Sequence, residues 1–73
     1  MENKVFLRDG EEYLTLNVLL KIIDVIPTGG MAKIYLAENY VVVNGEKENR
    51  RGRKLYEGDK VVVEGKNYII ARK

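Results

Sequence analysis

Residues 15–39 read TLNVLLKIIDVIPTGGMAKIYLAEN, and the architecture turns on this stretch. Leu16, Leu19, Leu20 and Ile23 recur on one helical face, with the polar residues Asn17, Lys21 and Asp24 opposite. Thr15 stands where an N-cap belongs, its hydroxyl able to accept from a first-turn amide. The helix is expected to run to Val25-Ile26, because Pro27 disfavours the helical conformation in the residue before it. Thr28 is a second N-cap candidate, and Gly29-Gly30 would open a second helix. Ala32, Tyr35 and Leu36 share one face of that helix, with Met31 and Ile34 on its flanks and Lys33 on another side. Asn39 is its expected stop.

Outward from this helical pair the chain reads as strands. Val41-Val42-Val43 leads into Asn44-Gly45, the strongest short hairpin signal. Glu46 to Lys54 lacks periodicity and reads as a loop or an irregular return strand. Leu55-Tyr56 precedes a turn at Glu57-Gly58-Asp59, and Lys60–Glu64 and Asn67–Ala71 read as strands joined at Gly65-Lys66. On the N-terminal side, Val5-Phe6-Leu7 ends at the Asp9-Gly10 turn signal, and Tyr13-Leu14 is expected to pair back as a second short strand. The expected fold is α+β: two short helices packed on one face of a small, mainly antiparallel sheet, two layers in a single domain spanning residues 1–73.

The composition narrows the chemistry. Among 73 residues there is no His and no Cys, so a disulfide, a thiolate or imidazole metal site, and a His general base are all excluded. Carboxylate pairs at Glu11/Glu12 and Glu46/Glu48 sit in polar turns with no apolar pocket to raise a pKa. A non-catalytic protein without a cofactor is therefore expected. Met1 to Gly10 has no apolar run, and Val18 to Ile26 is too short for a bilayer and is broken by Lys21 and Asp24. A cytoplasmic protein with no membrane partner, monomeric by default, is expected.

The formal charge of +2 conceals a partition. Residues 1–49 hold five basic and eight acidic side chains, a balance of −3; residues 50–73 hold eight basic and three acidic, a balance of +5. Such asymmetry points to a polyanionic partner. Two segments could meet one. Thr28, Gly29 and Gly30 open a helix whose free amides favour a phosphate, and Lys33 follows one turn later. The plainer explanation is a tight turn after Pro27. Arg50, Arg51, Arg53 and Lys54 crowd four cations around Gly52, and guanidiniums bind phosphate bidentately. The plainer explanation here is a solvated loop, or ion pairs with Glu46, Glu48 and Glu57. Asn44-Gly45 is a turn first and a contact second. Of the five tyrosines, Tyr56 beside the cluster is the base-stacking candidate.

In order, Thr15-Leu16, Leu20-Lys21, Gly29-Gly30-Met31-Ala32-Lys33, Val41-Val42-Val43-Asn44-Gly45, Arg50-Arg51-Gly52-Arg53-Lys54-Leu55 and Gly58-Asp59-Lys60-Val61 resemble one known family. It is the RNA-binding domain named after small-subunit ribosomal protein S-four, also called the alpha-L motif. Its small stand-alone bacterial members of the YaaA type are the most similar. The resemblance covers about residues 13–65 and leaves the strand at about 4–8 outside it. It implies an L-shaped surface that binds structured RNA, ribosomal RNA or a ribosomal subunit foremost. The start of the second helix and the following hairpin loop would make the contact. By position this nominates Thr28, Gly29, Gly30, Lys33, Asn44, Arg50, Arg51, Arg53 and Lys54. Many members carry an Arg near the start of the second helix, where this chain has Gly30 and Met31, so Lys33 and the Arg cluster would supply that charge.

Two other readings stand beside it. The basic loop of a protein-interaction module would dock an acidic partner instead. Val43-Asn44-Gly45 with Gly58-Asp59-Lys60-Val61 is also similar to small β-grasp sulfur carriers, but those need a terminal Gly-Gly, and this chain ends Ala71-Arg72-Lys73.

Overall fold

The computed structural model describes residues 2–72. Seven strands and two helices follow in the order β1 (Glu2–Leu7), β2 (Tyr13–Thr15), α1 (Leu16–Ile22), α2 (Ala32–Glu38), β3 (Val41–Val43), β4 (Glu46–Glu48), β5 (Lys54–Tyr56), β6 (Lys60–Val63) and β7 (Lys66–Arg72). A 3-10 turn, Gly29–Met31, leads directly into α2. The main sheet has the order β1-β7-β6-β3-β4, and β2 and β5 form a separate two-stranded ribbon. Every pairing is antiparallel except β1 with β7, which is parallel.

One apolar cluster holds the layers together. Val5, Leu7, Val41, Val43, Val61, Val63 and Ile70 of the sheet meet Leu16, Leu19 and Leu20 of α1 and Ala32 and Leu36 of α2. Leu14 and Leu55, cross-strand partners in the ribbon, close the same cluster. This is the expected two-layer α+β arrangement. Among the described residues no helix is long and apolar enough to cross a membrane.

Helix α1 ends earlier than the position of Pro27 implies. Asp24 takes the left-handed conformation at φ 66°. Its amide donates to the Lys21 carbonyl at 3.1 Å, and the Val25 amide donates to Leu20 at 3.0 Å. These two bonds are the pattern of a Schellman stop, usually built on glycine. Neither threonine caps a helix through its side chain. The first amides of α1 are instead met by distant carbonyls, Leu16 by Arg53 at 2.9 Å and Asn17 by Arg51 at 3.0 Å. Asn39 does stop α2: its backbone and side-chain nitrogens both donate to the Tyr35 carbonyl.

Tyr13-Leu14 also differs from expectation. It pairs with β5 rather than with β1, because β1 is held along β7 with Val5 opposite Ile70. The two Val-Val-Val strands each enter a tight turn with two positive φ values, Asn44-Gly45 at 50° and 86° and Glu64-Gly65 at 50° and 79°. The second turn therefore lies one residue before the expected Gly65-Lys66. Tyr35 ties this turn to α2, its hydroxyl donating to Glu64 Oε2 at 2.8 Å. Burial first, and then the Glu64 carboxylate, push the Tyr35 hydroxyl up to about 12.

Candidate nucleic-acid interface

The basic loop 49–53 is shaped by one carboxylate. Glu48 pairs across the hairpin with Val41, so its side chain shares the face of a buried valine. The residue is only 6% exposed. Arg50 Nε and Nη2 donate to its two oxygens at 2.9 and 3.1 Å, and Arg53 Nη1 donates at 2.7 Å. The amides of Asn49 and Arg50 donate to it as well. The Arg50 guanidinium foremost, aided by Arg53 and opposed by burial, holds the Glu48 carboxyl down at about 2.

The loop is pinned from the other side by α1. The Arg51 and Arg53 carbonyls accept the first amides of that helix, which would otherwise lack partners. The result is a rigid loop whose side chains divide. Arg50 and Arg53 are engaged with Glu48, although Arg50 remains 73% exposed. Arg51 projects from the pinned backbone and lines a cleft of about 250 Å³ with Asn49 and, from α2, Lys33, Leu36 and Ala37. The cations nominated in two separate segments, Lys33 and Arg51, thus face one cleft. Lys54 lies outside it, with its ammonium 5.0 Å from the Tyr13 ring centre.

Gly29 and Gly30 precede Lys33, which lines this cleft, by four and three positions. Neither has a positive φ. A Cβ on Gly29 would lie 3.5 Å from Asn17 Nδ2, and one on Gly30 would lie 3.8 Å from Thr28 Oγ1, both ordinary contacts. The 3-10 turn after Pro27 would therefore accommodate a Cβ at either position. What two glycines do provide is backbone open to close approach. Thr28 is extended and leads the chain into the turn, its carbonyl accepting from Met31 at 3.1 Å.

Asn44 lies apart from the cleft and works as a tie. Its Oδ1 accepts from the Lys60 amide at 2.9 Å, and its Nδ2 donates to Asp59 Oδ1 at 3.1 Å. Asn17 went unnoticed in the sequence because it reads there as the polar side of α1. Thr15 Oγ1 donates to Asn17 Oδ1, leaving Nδ2 directed toward Gly29. Asn17 is thus the joint between the basic loop and the glycine turn. No local spacing signals this, since the contact depends on three segments meeting.

The comparisons with known proteins agree with this architecture. The chain is similar to the probable ribosome maturation protein RlbA of Bacillus subtilis (strain 168), with 59% identity over 54 residues, covering 74% of this chain and 76% of that protein. No solved structure matches it. The S4 domain family matches residues 5–71, which takes in both helices, the basic loop and all of β1 from Val5 onward, and the chain belongs to that family.

Proposed function

We propose that this protein is a non-catalytic RNA-binding protein that recognises structured RNA, ribosomal RNA foremost, and acts in the cytoplasm during ribosome maturation. The observation that carries the reading is the convergence of Lys33 and Arg51 on one cleft. The B. subtilis relative's description as a ribosome maturation protein supports the ribosomal context. In this reading a phosphate sits between Lys33 and Arg51, close to the glycine backbone. Lys54 and the exposed Arg50 hold neighbouring phosphates of the same strand. Arg53, Glu48 and Asn44 act by positioning the loop and the hairpin. Recognition then depends on the spacing of phosphates more than on base identity, as is common for double-stranded RNA.

The test is a binding titration on ribosomal RNA fragments across a salt series. About four neutralised phosphates give a log-log slope of roughly −3. Lys33→Ala and Arg51→Ala should each reduce the slope by about one with little change in stability. Gly30→Ala should leave the fold as stable or slightly more stable, yet weaken binding about tenfold. A flat salt response, or Arg51→Glu binding as tightly as the parent, would overturn the proposal.

A further inference from the structure

On the far side of the basic loop is a second feature, an open groove of about 580 Å³. It is lined by Arg50, Gly52, Arg53, Lys54, Tyr56 and Asp59. Cationic side chains share it with Tyr56 and the Asp59 carboxylate. A track for backbone phosphates alone would not carry a carboxylate, because like charges repel. This combination of cations and an aromatic ring suits a single nucleotide, with its phosphate at the cations and its base at the tyrosine.

The aromatic part is built for a flat ligand. Tyr13 and Tyr56 are cross-strand partners on the outward side of the β2–β5 ribbon, whose inward side holds Leu14 and Leu55. Their ring centres are 5.6 Å apart at 52°, and they remain 37% and 47% exposed. Tyr56 lines the groove and Tyr13 packs on it from the neighbouring strand. Asp59 is itself fixed, accepting the Tyr56 amide at 2.7 Å and the Asn44 side chain at 3.1 Å. The Asp59 carboxylate and the Tyr56 backbone are therefore tied together before any ligand arrives, which lowers the ordering cost of binding.

We infer that this groove takes an unpaired nucleotide of the bound RNA, its base stacked on Tyr56 and its phosphate held by Arg50 and Lys54. The inference rests on the RNA-binding reading above and adds that the preferred RNA is a helix interrupted by a bulge or a junction. Stacking on an aromatic side chain is tolerant of base identity.

The test uses an RNA duplex carrying one unpaired nucleotide and the same duplex without it, titrated with the intact protein. The parent is expected to prefer the interrupted duplex by about 5- to 150-fold, the range for one stacked base. Tyr56→Phe should keep that preference, and Tyr56→Ala should abolish it. Equal affinity of the parent for both duplexes, with a normal salt slope, would overturn the stacking site alone. Absence of salt-dependent binding to either would overturn both this inference and the RNA-binding reading. Because the duplex comparison is made on the unaltered protein, the outcome does not depend on any variant folding.

Discussion

The Glu48 carboxylate, almost wholly buried, keeps its charge because two guanidiniums and two amides are directed at it. Its depressed pKa is a statement about stability. The folded carboxyl titrates at about 2 and the unfolded one near 4.5. The stabilisation is therefore complete above about pH 4.5 and is lost as pH falls toward 2. Glu48→Gln should cost about 1–2 kcal/mol at neutral pH, the low end for charged hydrogen bonds because Arg50 is largely hydrated. In urea melts across pH, the gap between parent and variant should close below pH 4.5; a gap that persisted at pH 2 would refute the assignment. The sequence offered Glu46, Glu48 and Glu57 as equal partners for the basic run. Only the hairpin register, which sets Glu48 opposite Val41, selects one of them. That choice then separates Arg50 and Arg53 from Arg51, a division that adjacent residues of one type cannot display in a sequence.

At the scale of elements, features that rest on local chemistry were readable and those that rest on distant partners were not. The apolar faces of both helices and the Asn44-Gly45 turn follow from spacing and from residues that tolerate positive φ. The pairing of β2 with β5 has no local signal, since its partners lie some forty residues apart. The capping of α1 by Arg51 and Arg53 is hidden for the same reason. The early stop of α1 is a different case. Aspartate enters the left-handed region less readily than glycine, and so it carries a weaker stop signal than the proline three residues on. Asp24→Gly should accordingly stabilise the protein by about 0.5–1 kcal/mol, read as a higher melting temperature. A lower melting temperature would show that the Asp24 side chain contributes something the backbone geometry does not.

For the whole molecule, a single apolar cluster joins the sheet, the ribbon and both helices, so the interface and the sheet should melt together. Leu7 lies at the far edge of that cluster from the basic loop and is 4% exposed. Leu7→Ala should cost about 2–4 kcal/mol, a large share of the stability of a chain this small. Far-ultraviolet dichroism and tyrosine emission should still report one transition, because the protein has no tryptophan and its five tyrosines span both helical and strand regions. Two separated transitions would mean that the loop and ribbon form an independent unit. The charge partition read from the sequence also takes on its meaning at this scale. The −3 segment supplies both helices with Lys33 among them, and the folded core brings that lysine to the +5 segment.

The parallel union of β1 with β7 bears on how the protein is made. Asn3 donates to the Asn67 carbonyl, 64 positions later in the chain. During synthesis β1 leaves the ribosome well before β7 and has no sheet partner until β7 follows it. Contacts this remote in sequence slow folding, because a long loop must close before they form. Helix α1 waits in a similar way, since the carbonyls that cap it belong to Arg51 and Arg53. Folding is thereby postponed until β7 is translated, and a nascent chain halted before β7 would leave Val5 and Leu7 of β1 without their sheet partner, open to whatever chaperones attend the exit tunnel.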